Sequence, residues 1–255
     1  MSPTTPKAVS ALTTSKPITL LQLTTHPEDF ERNLRRLCQA IDACQPGSIV
    51  MSPEVCLTGY PYERMEEAAA IADSAINQMI ALSSDKTVTL TTIVKEKGHY
   101  YNRTFVMHQG RIIHEQDKIR LFLLGDEDRY FAAGEEQKMR LFDIDGIKTG
   151  LMVCFELRYT EFWLRLRGAD LIMVPARWGL PRKEHLTVLP AALALSNQCY
   201  CAVANSADED MAKSSALYGP GGAIVRDDYA EAIRGEIDLR TVRKVRRHIR
   251  MGVFD

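Results

Sequence analysis

The ten residues Gly150 to Tyr159 read GLMVCFELRY. A short apolar run stops on a cysteine, and a glutamate and an arginine follow within four positions. The pattern predicts a buried strand over Ile147 to Val153 that delivers Cys154 to a turn at its C-terminal end, where open α/β sheets place reactive groups. Free cysteine is also among the most buried residue types, so Cys154 alone reads more readily as a small core hydrophobe.

Working outward, a helix is expected near Glu161 to Leu166, a buried strand at Leu171 to Val174, a helix from Glu184 to Asn197 and a strand at Tyr200 to Ala204. Short strands around Ala216, Ile224 and Ile233 lead into a basic terminal helix. Upstream, Ile18 to Leu23 reads as the first strand. Pro27 suits a first helical turn, and Phe30, Leu34, Leu37 and Ile41 recur at helical spacing through Cys44. Ile49 to Ser52 is a strand, Arg64 to Leu82 a second helix, and Thr87 to Val94, Asn102 to His108, Arg111 to Glu115 and Met139 to Asp143 are strands separated by glycine turns. Strands alternating with helices predict an α/β fold whose sheets carry helices on their outer faces. No Pro/Gly-rich linker divides the chain, so one domain over 17–255 is expected. Residues 1–16, rich in Ser, Thr and Pro, read as a flexible leader.

The 255 residues are 45% hydrophobic and 25% charged, enough for a sizeable core, and the formal net charge is -1. That balance supplies no global attraction to nucleic acid or to an anionic membrane. No run approaches the roughly 18 to 20 apolar residues of a spanning helix, and no secretory signal opens the chain, so a cytoplasmic protein is expected. The six cysteines sit mostly in apolar segments and read as reduced thiols. Neither CxxC nor HxxxH spacing occurs, which makes metal binding a poor fit.

A thiol of ordinary pKa, roughly 8.5, is mostly protonated at neutral pH and needs a base or a positive charge beside it to act as a nucleophile. None of the six histidines carries a motif that ties it to a cysteine. Carboxylate and lysine remain. Glu54 follows a predicted strand in MSPEVCLTGY, and Lys118 lies at a strand's end in DKIRLF. Each is readable as a solvated side chain on its own. Together with Cys154, each falls at the C-terminal end of a separate strand, and parallel neighbouring strands would bring the three to one edge.

These segments resemble the nitrilase or carbon-nitrogen hydrolase superfamily, through PEVCLTGY around Glu54, DKIRLF around Lys118 and GLMVCFELRY around Cys154, in the family's order. NRTF at Asn102, RGADLIMVPARW at Arg167, NQCYCAVAN and YGPGGAIV extend the likeness from about Ile18 to the C-terminus. The resemblance implies a four-layer α-β-β-α sandwich of two mixed sheets flanked by helices. It also implies a set of roles: Cys154 as nucleophile on an amide, Glu54 as general base and acid, and Lys118 with the backbone N–H of Phe155 as oxyanion donors. Glu127, seven residues before Gly134, would be a supporting carboxylate. No metal or organic cofactor is required, and a homodimer or larger homo-oligomer is expected.

The chain departs from the family pattern at Thr160, where proline is common, at Ser196, where glutamate is common, and at Glu156, where aspartate is more common. Arg158 is read as structural. Arg177 either binds a substrate carboxylate bidentately or pairs with a protein carboxylate, and Trp178 or Tyr60 would form an apolar wall. The compact length points to a small, carboxylate-bearing linear amide, with a carbamoylated amine or amino acid as the alternative. From other classes come a catalytically silent scaffold and a nucleic-acid binder using RTVRKVRRHIR, residues 240–250. Intact Glu, Lys and Cys argue against the former, and absent aromatics against the latter.

Overall fold

A computed structural model describes residues 14–253. Five strands form the first half: β1 (Ser15–Leu21), β2 (Ile49–Met51), β3 (Thr87–Glu96), β4 (His99–His108) and β5 (Arg111–Asp117). Six follow: β6 (Phe142–Ile144), β7 (Ile147–Leu151), β8 (Leu171–Ala176), β9 (Tyr200–Asn205), β10 (Ala216–Tyr218) and β11 (Ile224–Arg226). The last, β12 (Ala232–Asp238), returns to the first half and pairs antiparallel with β1. The result is two six-stranded sheets, ordered β12-β1-β2-β3-β4-β5 and β11-β10-β9-β8-β7-β6. Both are mixed: β1-β2-β3 and β7-β8-β9 are parallel, and the flanking pairs are antiparallel.

Side-chain alternation explains why these sheets stack. On β1 and β2, Ile18, Leu20, Ile49 and Met51 face Leu151, Leu171, Met173 and Ala202 of the other sheet in a central core. Their neighbours Leu21 and Val50 point the opposite way, as the two-residue period of a strand requires. There they meet α1 (Phe30–Asp42), α2 (Met65–Ala70) and α3 (Ala72–Leu82). On the far side, Ile172 and Val174 of β8 meet α5 (Thr160–Arg165) and α6 (Lys183–Asn197), a short α4 (Glu127–Tyr130) having come between β5 and β6. Three cores between four layers make the α-β-β-α sandwich. In α1, Asp29 caps the first turn by accepting the Arg32 N–H at 2.8 Å, and Phe30, Leu34, Leu37 and Ile41 are buried, each worth about 1.5–3 kcal/mol.

Several expected boundaries shift. The first strand begins at Ser15, so Ser15 and Lys16 belong to the sheet and Lys16 reaches Asp145 at 2.5 Å; positions 1–13 of the expected leader lie outside the described residues. The first helix starts after Pro27, at Phe30. The helix expected over Arg64 to Leu82 breaks at Ile71 into α2 and α3. The basic α7 (Leu239–His248) buries Leu239, Val242 and Arg246, and the Arg246 guanidinium is taken up by Asp170 at 3.0 Å and the Ala169 carbonyl at 2.6 Å. Among the described residues, no helix is long and apolar enough to cross a membrane.

Candidate active site

The strand carrying GLMVCFELRY stops at Leu151, three residues before the cysteine. Gly150 lets β7 pass close beneath its neighbours: a Cβ there would lie 2.8 Å from Ile172 Cδ1 and 2.9 Å from Leu166 Cδ1. Cys154 then enters a 3-10 turn with φ of 49°, a left-handed conformation that costs a non-glycine residue on the order of 1–3 kcal/mol and needs support from its surroundings. Glu156 supplies it. Its fully buried carboxylate accepts the Val153 N–H at 2.7 Å and, from the segment after β5, the N–H groups of Ile119 at 2.5 Å and Arg120 at 3.1 Å. One side chain thus ties the cysteine turn to the lysine segment.

Lys118 follows β5 directly, and β2 and β5 run in the same direction, so Glu54 and Lys118 come from one edge of the first sheet. They are not on neighbouring strands, because β3 and β4 lie between, and Cys154 comes from the other sheet. The three meet because two stacked sheets, rather than three adjacent parallel strands, present their ends to one cavity. That cavity, of about 180 Å³, is lined by Cys154, Glu54, Lys118 and Glu127, with Phe122 and Trp178 among its apolar walls. It is smaller than the roughly 300–1,000 Å³ of drug-sized sites and suits a small substrate.

Lys118, only 1% exposed, donates to Glu54 Oε1 at 2.8 Å and Glu127 Oε1 at 2.7 Å, with Tyr60 Oη at 3.3 Å. Burial alone would strip its proton; the Glu54 and Glu127 carboxylates overcome that and hold it charged, above the usual lysine range. Burial likewise pushes Glu54 upward, but Lys118 and the Tyr60 hydroxyl hold it below the ordinary glutamate value. Glu127, buried and near Glu54, is raised in spite of Lys118. The Cys154 thiol is pushed well up by burial and by the Glu54 charge, with Lys118 pulling the other way, so the resting pair is thiol and carboxylate.

Tyr60, expected as apolar wall, has a polar task as well: its hydroxyl donates to Glu54 Oε1 at 2.6 Å. Asn102, unassigned by the sequence, donates from Nδ2 to the same oxygen at 2.9 Å, and its backbone carbonyl accepts the Lys118 N–H at 2.8 Å. Only its place at the start of NRTF hinted at it. Glu127 Oε2 accepts the Phe122 N–H at 3.0 Å. Phe155 lines the cavity directly after Cys154. The Arg177 guanidinium pairs with Asp208 at 2.6 Å and donates to Thr25 and Ser206 hydroxyls, while its backbone N–H meets Glu54 Oε2 at 3.0 Å. Trp178 is buried, held by its backbone N–H to Asn205 at 2.7 Å and its indole N–H to the Arg182 carbonyl at 2.8 Å. Arg158, expected as structural, lines the cavity.

The α-β-β-α sandwich that carries this site is matched by known proteins. The model of the carbon-nitrogen hydrolase family covers residues 18–247. A 2-oxoglutaramate amidase of Bacillus subtilis (strain 168) is 31% identical over 221 residues, spanning 81% of this chain and 83% of its own length. An omega-amidase of Escherichia coli (strain K12) is 26% identical over 239 residues, spanning 90% and 92%. In structure, a CN-hydrolase superfamily protein from Xanthomonas campestris superposes with a TM-score of 0.82 at 20% identity, over 92% of this chain and 95% of its own. A branch 10 nitrilase superfamily member from Saccharomyces cerevisiae does so at 0.82 and 20%, over 94% and 96%. The chain belongs to the carbon-nitrogen hydrolase family and is a hydrolase of carbon–nitrogen bonds.

Proposed function

We propose that the protein hydrolyses the terminal amide of a small, carboxylate-bearing linear amide, releasing ammonia through an acyl-thioester on Cys154. The observation that carries this is the buried Glu54–Lys118–Glu127 chain opening onto the same small cavity as the Cys154 thiol. The names of the two relatives, a 2-oxoglutaramate amidase and an omega-amidase, support the substrate class.

Glu54 Oε1 already accepts from Tyr60, Asn102 and Lys118, whereas Oε2 accepts, among the described residues, only the Arg177 N–H. Oε2 is therefore the oxygen that takes the thiol proton. Because the thiol holds its proton more tightly than usual, transfer accompanies S–C bond formation instead of preceding it. The carbonyl oxygen becomes an oxyanion facing Lys118, whose third N–H has only the long Tyr60 contact to give up, and the Phe155 N–H. Glu54 returns the proton to the nitrogen, the C–N bond breaks and ammonia leaves. A water then gives a proton to Glu54 while its oxygen attacks the thioester; the C–S bond breaks, the thiol regains its proton and the carboxylic acid departs.

We further propose a cytoplasmic homo-oligomer. Six free cysteines fit a reducing compartment, and exposed Val188 and Leu195 of α6 with Ile224 and Val225 of β11 offer an apolar face for self-association. The test of function is ammonia release from ω-amides, carbamoyl compounds and simple nitriles, beside Cys154→Ala. Turnover of ω-amides with a mass adduct on Cys154 is expected. Turnover of carbamoyl compounds alone would transfer the protein to the alternative substrate class, and silence on all three would sink the mechanism.

A further inference from the structure

Three arginines line the cavity, and they are not equivalent. Arg177 is neutralised by Asp208 at 2.6 Å. Arg158 and Arg182 have no carboxylate partner among the described residues, unlike the other buried guanidiniums, Arg103 on Asp117 and Arg246 on Asp170. Both are half-buried. Arg158 lies 4.6 Å above the Trp178 ring centroid and reaches His185 Nδ1 at 2.9 Å, and Arg182 lies 5.2 Å from the Phe122 ring centroid. Packing against an aromatic ring holds each planar fork while leaving N–H edges available, which is how guanidiniums are prepared to grip a carboxylate.

Their proximity strengthens the case. Both guanidiniums line one cavity, where burial and then the charge of Arg182 lower the proton affinity of Arg158. Like charges held together in a partly dry cavity destabilise the empty protein unless an anion completes the arrangement. Lys118 is met by the Glu54 and Glu127 carboxylates at 2.8 and 2.7 Å, whereas Arg158 and Arg182 have no such anion among the described residues, and a carboxylate-bearing substrate supplies one. We propose that Arg158 and Arg182 receive the substrate's carboxylate, at the end of the cavity away from its amide, and so set the enzyme's preference for amides with an acidic tail. This rests on the amidase function proposed above for the Cys154 site.

The test compares the monoamide of glutaric acid with pentanamide, its neutral counterpart, for wild type, Arg182→Gln, Arg158→Gln and Arg182→Lys. The ratio of kcat/KM for the acidic over the neutral amide should fall about 10–100-fold in either glutamine variant, chiefly through KM, and be partly kept by lysine. A purely structural role would lower both substrates alike and leave the ratio intact, and that result overturns the proposal. Glutarate binding to Cys154→Ala, followed by calorimetry, reads the anion site without turnover. Adding Arg182→Gln should weaken it at least about 10-fold, and equal affinities refute the site even if amides are hydrolysed. Loss of this anion site with ammonia release intact would leave the amidase function standing. Glutarate binding lost on Arg182→Gln with no amide turned over by wild type would remove the amidase function and keep the site.

Discussion

Replacing Glu156 with glutamine tests whether one carboxylate holds the nucleophile and the lysine in register. Its Oε1 serves Ile119 and Arg120 and its Oε2 serves Val153, so all three partners are donors. An amide offers one acceptor oxygen. With that oxygen kept toward Ile119 and Arg120, the Val153 N–H faces an NH₂ group, and a buried donor left unmatched costs about 1–3 kcal/mol. At about 2 kcal/mol the melting temperature should fall by roughly 4–8 °C for a chain of this size. Since Val153 precedes the strained Cys154, kcat/KM should fall as well, by about 10²-fold if the thiol moves by about 1 Å. A second readout separates this from general damage. Burial pushes Glu156 up to about 7 against the pull of the Val153, Ile119 and Arg120 amides. Between roughly pH 4.5 and 7 the folded chain keeps a proton that the unfolded chain has lost, so stability falls as pH rises through that window, by up to about 3 kcal/mol, and levels off above it. Denaturant titrations across pH should show that slope in wild type and lose it in Glu156→Gln. A variant with unchanged melting temperature, unchanged kcat/KM and the same slope would refute the reasoning.

Lys118→Met leaves Glu54 and Glu127 buried without their shared cation; stability should drop by about 3–5 kcal/mol and kcat by at least about 10²-fold, checked by denaturation and ammonia release. Tyr60→Phe removes a donor 2.6 Å from Glu54, so kcat should fall about 10-fold or more while the fold survives; a kcat equal to wild type would show that the hydroxyl does not tune the base. Gly134→Ala places a Cβ 2.5 Å from the Asp117 carbonyl oxygen, against backbone next to Lys118. A loss of activity larger than the loss of stability is expected from paired kinetic and melting measurements.

The layers were legible because both sheets are buried on both faces, and apolar runs such as Leu171 to Val174 can be little else. Glu54, Lys118 and Cys154 were legible because each sits beside a strand's end in a recognisable motif, and the structure brings all three to one cavity. What escaped depends on contacts across sequence. Asn102 looks like any strand residue until β4 is paired with β5 and its amide lands on Glu54. Arg177 and Arg158 are indistinguishable as letters; only Asp208, 31 positions downstream of Arg177, makes one a paired cation and leaves the other open to the cavity. The break at Ile71 has the same character, since its helical periodicity continues through a residue that no longer extends the helix.

The thiol is carried by one sheet and its carboxylate and lysine by the other, joined by the central core and by a few hydrogen bonds such as those of Glu156 to the lysine segment and of the Arg177 N–H to Glu54. Any slippage of one sheet over the other therefore registers first in turnover, well before secondary structure is lost. In a urea titration, ammonia release should fade at lower denaturant than far-ultraviolet ellipticity, making catalysis a strain gauge for the sandwich that carries it.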